Sequence, residues 1–303
     1  MGRAETPGSP EQPMQLDIFA HSRDVMLRND VVDALAQRDA SAARAAWRIL
    51  DKDFPIDDAL PAFAVLIEAV ERRTGVVFVD HDAAAEARRV LNDQVAPAAL
   101  RVFGAQAGAH WMVPLWRDAA LGAARLAYRS DHGEDHAAPL WLQAGDWQAA
   151  ADAVARIESW RRIPVPLAWM IEARYRLADL EAAWALLAEL AWLSPRRFGE
   201  LTRRLADPSL NGLRHQFDAN FEGDGSVVDL VWFPAWVLTE KAGLARWLGE
   251  AQPSRDGAPE RVMRLLIELI GLERQGRHHD VVERRKALRD MHPILYGAYM
   301  KSR

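Results

Sequence analysis

The sequence predicts an all-α protein built from stacked antiparallel helical hairpins that form an α-solenoid. The apolar residues are weighted toward Ala, Leu and Trp, with 12 tryptophans in 303 residues, and this bias favours helices over sheets. Apolar residues also recur at helical spacing, as in the stripe Leu27, Val31 and Leu35. In the N-terminal half only one run, residues 74–80 (TGVVFVD), has the composition of a strand. Since a single strand cannot satisfy its own backbone, we expect this run to be an extended connection packed on helices.

The first half of the chain divides into a tail, a short peptide and a helical region. Residues 1–13 contain several glycines and prolines without apolar periodicity, so we expect a disordered tail. A short peptide over 14–19 follows, and residues 20–130 then predict an N-terminal helical region. Asp39 is placed to cap the second helix of this region after a short break. The first two helices should therefore pack as an antiparallel hairpin.

A polar segment, residues 130–138, separates this region from a C-terminal helical region over 139–303. The second region contains an internal repeat at a constant offset of 33 residues, in which Leu142, Gly145, Asp146, Trp147 and Ala150 align with Tyr175, Ala178, Asp179, Leu180 and Ala183. Weaker echoes occur at Leu35, Asp39 and Ala43 and at Leu272, Gly276 and Val281.

This pattern resembles the tetratricopeptide repeat, in which large and small residues recur about every 34 positions. The resemblance implies a tetratricopeptide-like solenoid over 139–303, with the small residue at a tight turn and the alanine at a close helix crossing. A generic run of helical hairpins is the alternative interpretation.

The peptide Gln15-Leu16-Asp17-Ile18-Phe19 lies between the tail and the first amphipathic helix. It resembles the short motif, roughly Q-L-[S/D]-L-F, with which many bacterial proteins bind the DNA polymerase sliding clamp. The resemblance implies that Gln15 forms hydrogen bonds in the clamp groove, while Leu16, Ile18 and Phe19 enter its hydrophobic pocket. Alternatively, the three apolar side chains fold back onto the first hairpin as a hydrophobic lead-in.

Composition restricts the classes of function. The net charge of −5 argues against direct binding to nucleic acid, which usually requires a basic face. The absence of cysteine excludes disulfides, thiolate catalysis and cysteine-ligated zinc. No run is long enough to cross a bilayer, and no signal-peptide core is present, so we expect a cytoplasmic protein that does not bind membranes.

The candidate metal ligands lack the spacing of a metal site. The groups considered are His132, Glu134, Asp135 and His136, then His278, His279 and Asp280, and finally Asp51, Asp53, Asp57 and Asp58. The histidine groups do not follow the helical H-E-x-x-H pattern, and the aspartates do not follow the calcium loop. Phosphate-binding, dinucleotide and nucleophile-elbow motifs are also missing. We therefore expect no metal, no cofactor and no catalytic activity.

These observations predict a non-enzymatic helical adaptor that docks on the sliding clamp through residues 15–19 and works in replication or repair. Its helical body would bind a second protein partner that the sequence does not identify. The alternative is a helical-repeat interaction module with an unrelated partner, in which residues 15–19 serve structural packing.

Overall fold

The computed structural model confirms the all-α fold class. It describes residues 13–303 except 73–74, 76, 179 and 254–255, and it describes side chains from Arg23 onward. The described chain is 80% helical and contains no strand. Its α-helices are α1 (Pro13–Ala36), α2 (Ala40–Asp53), α3 (Leu60–Glu71), α4 (His81–Val90), α5 (Ala96–Phe103), α6 (Ala105–Ala123), α7 (Ala137–Gln143), α8 (Trp147–Ala155), α9 (Pro164–Leu177), α10 (Trp184–Leu193), α11 (Pro195–Leu205), α12 (Pro208–Asn220), α13 (Phe233–Glu240), α14 (Ala245–Leu248), α15 (Ala258–Arg274), α16 (His278–Met291) and α17 (Pro293–Lys301). Shorter segments are a π-helix over Leu91–Val95 and 3-10 helices over Ser130–Asp135, Trp160–Arg162, Glu181–Ala183, Val227–Trp232 and Ala242–Leu244.

The chain forms two compact units, one ending at Leu126 and one beginning at Ala127. The sequence placed the separation at residues 130–138. In the structure this polar segment belongs to the second unit, where a 3-10 helix leads into α7. Residues 1–12, which carry most of the expected disordered tail, lie outside the described residues.

In the first unit, α1 and α2 form the predicted hairpin. Asp39 caps α2, since its carboxylate accepts the Ala42 N–H at 2.9 Å. Val31 and Leu35 of α1 and Leu50 of α2 are fully buried. The helices of this hairpin therefore contribute to the core at the positions that their helical spacing indicates.

The helices α5 and α6 form a second hairpin, which turns at Gly104 with φ of +78°. The two helices approach closely at Gly108, where an added Cβ would lie 2.7 Å from the carbonyl oxygen of Ala99. The described part of run 74–80 contacts the C-terminal end of α6, where the Phe78 N–H donates to the carbonyl of Gly122 at 3.0 Å. The described residues of the run form no strand, and they contact a helix.

Three hairpin turns share one backbone geometry, with a left-handed residue at Arg38, Gly145 and Gly276. At each turn the next residue's N–H bonds a carbonyl five residues back, as in Asp39 to Ala34 (2.9 Å), Asp146 to Trp141 (3.0 Å) and Arg277 to Leu272 (3.0 Å). These turns coincide with the first repeat copy and with both echoes.

The aligned residue Ala178 departs from that geometry. Its φ is −120°, and the chain continues into the 3-10 helix Glu181–Ala183. The Cβ of alanine disfavours the left-handed turn but does not forbid it, since Arg38 adopts that conformation in the first of the three turns. Ala150 and Ala183 are nevertheless both fully buried, as the repeat alignment requires. The turns recur at unequal intervals, so a shared geometry is observed without a regular array.

The core of the second unit contains an aromatic cluster, which we define as Phe198, Phe217, Phe233 and Trp236. The ring of Phe217 lies 5.5 Å from Phe233 and 5.4 Å from Trp236, both edge-on. Phe198 and Phe233 are 5.4 Å apart. All four side chains are at most 2% exposed, so the cluster is a buried aromatic core to which α11, α12 and α13 contribute.

A buried ion pair also stabilises the second unit. Glu189 on α10 is only 4% exposed. Its carboxylate accepts the Arg161 Nε–H at 2.9 Å and the Gln252 backbone N–H at 2.8 Å. The pair therefore links three segments that are distant in sequence, and it satisfies the buried charge.

Candidate functional site

The five residues of the predicted docking peptide fall inside the bounds of α1, Pro13–Ala36. The side chains of Gln15, Leu16, Asp17, Ile18 and Phe19 lie outside those that the structure describes. The structure therefore bears on the predicted docking peptide only through the neighbouring residues of α1.

The described part of α1 next to the peptide is a surface segment. Val25 is 48% exposed and Met26 is 65% exposed, and among the side chains described from Arg23 onward the first buried one on the helix is Val31. Ion pairs hold this segment to the end of α2 and to the turn after it, since Arg23 contacts the Asp53 carboxylate and Arg28 contacts the Asp57 carboxylate, each at 2.6 Å. Over its first described turns α1 contacts the rest of the unit through ion pairs of Arg23 and Arg28, and it packs into the apolar core from Val31 onward.

The acidic residues of that turn have structural roles. Asp57 accepts the Arg28 Nε–H at 2.6 Å and the Ala59 backbone N–H at 2.8 Å, and its side chain is 1% exposed. The Arg28 guanidinium pKa is raised by its hydrogen bond to Asp57. Asp58 pairs with Arg101 at 2.7 Å. These carboxylates balance the positive charges of arginines on α1 and α5, the two helices that this turn contacts.

The histidine-rich segment before α7 also has a structural explanation. Nδ1 of His136 accepts the Ala138 N–H at 3.1 Å and so caps α7. The His136 ring stacks on Trp169 with centroids 6.0 Å apart. His132 lies 3.3 Å from the Asp135 carboxylate. Over the described residues, no group of three or more His, Cys, Asp or Glu side chains could hold a metal ion.

An apolar cleft of about 540 Å³ opens in the first unit. Its walls include Leu91, Val95 and Pro114, with Arg38 and Asp118 at the polar positions. Burial lowers the pKa of the Arg38 guanidinium, whose charge also lies 4.7 Å above the Trp111 ring. The size and apolar lining suit a small hydrophobic ligand, but no contact of the described residues indicates its chemistry.

A larger cleft of about 850 Å³ opens in the second unit between α11, α12 and the 3-10 helix Val227–Trp232. Its lining combines basic, acidic and aromatic side chains. We call this cavity the arginine cleft; its basic and amide side chains are Arg196, Arg203, Arg214, Asn211 and His215.

The carboxylates of the arginine cleft are already engaged. Glu200 pairs with Arg196 at 3.1 Å, and Asp218 accepts from Nη2 of Arg214 at 3.1 and 3.2 Å. Asp229 accepts the backbone N–H of residue 226 at 3.2 Å as part of a capping box. The cleft therefore has few free acceptors.

Its guanidinium groups have spare donors. The Nε–H of Arg203 donates to the carbonyl of Gly199 at 3.1 Å, and its two Nη atoms bond no acceptor among the described residues. Arg214 is deeper, with a side chain 18% exposed, and its buried Nη1 has no hydrogen-bond partner in the described part of the chain. Burial lowers the pKa of Arg214, and the nearby positive charge of Arg203 lowers it further.

Aromatic rings partly compensate the buried charge. The Arg214 guanidinium carbon lies 5.6–5.9 Å from the ring centroids of Phe198, Phe217 and Phe233. Such cation–π contacts stabilise a desolvated guanidinium but do not satisfy its N–H donors. The cleft therefore contains a positive charge on Arg214 that has an unused N–H donor and that contacts aromatic rings.

No motif in the sequence predicts this cleft. One signal was available, since Arg214 shares a helical face with Leu210, Leu213 and Phe217, all of which are buried. A charged residue on an apolar stripe indicates an unusual environment. The spacing alone does not bring α11 and the segment after α12 to that arginine.

Among the described residues, no helix is long and apolar enough to cross a membrane. No protein-family model matches the chain, and no curated protein or solved structure matches it. The function is therefore inferred from the peptide and from the geometry of the two units.

Proposed function

We propose that the chain is a non-enzymatic helical adaptor that docks on a bacterial sliding clamp through Gln15–Phe19. The observation that carries the proposal is the peptide itself, in which four of five positions match the commonest letters of the clamp-binding motif. Ile18 differs from the usual leucine only in the position of its branch. Clamp docking would assign the adaptor to replication or repair in the cytoplasm, with any contact to DNA made through the clamp.

The surroundings of the peptide support this proposal. Val25 and Met26 leave apolar surface exposed on the segment that follows it, whereas a hydrophobic lead-in would be expected to continue into buried positions. The Arg23–Asp53 and Arg28–Asp57 ion pairs hold α1 to the body without using the peptide side chains. The peptide could therefore bind a partner while the described ion pairs and the described core stay intact.

Binding of the full-length protein to purified clamp tests the proposal. We expect a Kd on the order of micromolar, because a short peptide must be ordered on binding. In the variant Leu16→Ala, Phe19→Ala, each truncation should cost at least about 1–2 kcal/mol, so that binding weakens more than about 10-fold. A synthetic peptide over residues 13–22 should bind the clamp and compete with the full chain.

A matched control is available on the same helix. The variant Val25→Ala, Met26→Ala also removes two apolar side chains, but these lie outside the motif and are exposed. It should leave clamp affinity unchanged. If the wild-type chain does not bind the clamp, the proposal fails. It also fails if the Leu16→Ala, Phe19→Ala variant melts at a lower temperature than wild type, because the peptide then has a packing role. The chain would then be an interaction module with a different protein partner.

A further inference from the structure

The arginine cleft combines spare donors with engaged acceptors. Arg203 offers two Nη atoms, and the side-chain amide of Asn211 forms no hydrogen bond among the described residues. Arg214, which lines the same cleft, adds a positive charge on a side chain that is only 18% exposed. A ligand that fits this arrangement must supply acceptor atoms and negative charge.

We propose that the arginine cleft binds an oxyanion, a phosphoryl or carboxylate group carried by an organic molecule. Arg203 and Asn211 are the direct donors, and Arg214 supplies the field that draws the anion inward. A planar guanidinium presents paired N–H groups to two oxygens of either group, which gives short and strong hydrogen bonds.

The local geometry is organised in advance for such a ligand. The carbonyl of Gly199 fixes the Nε of Arg203, so its Nη edge is oriented before any ligand arrives. Asp218 and three aromatic rings hold Arg214 in place. Preorganised donors lose little conformational entropy on binding, which favours affinity.

The organic carrier is inferred from the remaining wall. Phe221 lines the cleft half-buried and stacks on Phe217 with centroids 4.6 Å apart, and Val227 lines it with half of its side chain exposed. An oxyanion attached to a ring or an apolar group would cover both. The cleft volume of about 850 Å³ lies within the range that accommodates small organic ligands.

A cation is a poorer occupant. Each carboxylate in the lining already accepts from an arginine or from backbone N–H groups, so a metal would have to displace an existing partner. A cation entering the cleft would also be repelled by the positive charges of Arg203 and Arg214.

Calorimetric titration of the full-length protein with phenyl phosphate and with benzoate tests the proposal at constant ionic strength. The two probes share the ring and distinguish a phosphoryl source from a carboxylate source. We expect at least one of them to bind with a Kd below about 10 mM, weak because each probe is small. Arg203→Gln and Asn211→Ala should each weaken that binding, Arg203→Gln by about 10-fold or more.

Arg264→Gln is the matched control for Arg203→Gln. Arg264 is an exposed arginine on α15, outside the lining of the cleft, so this variant makes the same charge change elsewhere. Its affinity should stay within about twofold of wild type. Circular dichroism melts verify that all variants are folded, which is expected because Arg203 is exposed and Asn211 is half-buried.

Two results overturn the proposal. One is that neither probe binds in this concentration range. The other is that a probe binds but Arg203→Gln and Asn211→Ala leave its affinity unchanged, since the ligand then sits elsewhere. The proposal is independent of clamp docking, because the cleft lies in the second unit and the titration contains no clamp.

Discussion

Replacing Gly108 by alanine sets the packing of α5 on α6 against the intrinsic helix preference of the residue. The new methyl carbon would lie 2.7 Å from the carbonyl oxygen of Ala99 and 2.9 Å from its carbonyl carbon. Both contacts are shorter than van der Waals distances, and both involve backbone. Relief therefore requires that the two helices move apart, which disturbs the packing around them.

The two opposing effects have comparable sizes. Overpacking of a well-filled site costs about 1–3 kcal/mol. Alanine is favoured over glycine in a helix interior by about 1 kcal/mol. We expect the free energy of unfolding to fall by up to about 2 kcal/mol in Gly108→Ala, because the clash is with backbone atoms that cannot rotate away.

Gly271→Ala provides the matched control. Gly271 lies inside α15, and an added Cβ would meet nothing within 4 Å. Only the helix preference remains, so this variant should gain up to about 1 kcal/mol. Urea unfolding of both variants, followed by far-UV circular dichroism, should give midpoint shifts of opposite sign. An increase in stability for Gly108→Ala equal to that for Gly271→Ala would refute the close approach of α5 and α6.

Three further perturbations test other contacts. Ala183→Leu should lower the free energy of unfolding by about 1–3 kcal/mol in thermal or urea unfolding, because Ala183 is fully buried; a neutral effect would contradict its packing role. Glu189→Ala should cost about 2–4 kcal/mol in urea unfolding, because it removes a buried carboxylate that binds both Arg161 and the Gln252 N–H, whereas Glu268→Ala, which removes an exposed ion pair, should cost less than about 1 kcal/mol; equal losses would count against the burial argument. Burial lowers the pKa of the His292 imidazole, which accepts the Leu295 N–H, below its ordinary value of 6.5, so its stabilisation is present above pH 6.5 and is lost as the pH falls through the lower folded value. His292→Asn keeps a capping acceptor, so melting temperatures between about pH 7.5 and 5 should fall less than in wild type, and an identical pH profile would exclude His292 as the source.

Local patterns predicted the helical fold where one residue's environment is decided by its sequence neighbours. Asp39 caps α2 and Gly145 takes the left-handed turn, as short-range rules require. The extension of the repeat to Ala178 is not reproduced as a left-handed turn, and residue type alone does not decide this, since Arg38 takes that turn and Ala178 does not. Burial of Ala183 was still anticipated, since it depends on helical spacing.

The arginine cleft could not be predicted in the same way. Arg203 belongs to a basic pair that has the pattern of a solvated helix face, and its partner in the cleft, Arg214, lies on another helix. Their proximity follows from tertiary packing over the aromatic cluster. The proposed docking peptide is the opposite case, since a linear motif would bring its own anchors and is proposed without any knowledge of the fold.

The division of the chain at Leu126 has a consequence for how the protein is made. Every helix of the first unit precedes every helix of the second in sequence. During translation, the first unit can therefore fold on the ribosome while the second is still being synthesised, an interval of roughly 10–30 s at usual elongation rates. Buried surfaces such as those of Val31 and Trp111 would then be covered before the apolar helices of the second unit emerge, which limits misassembly between the two cores.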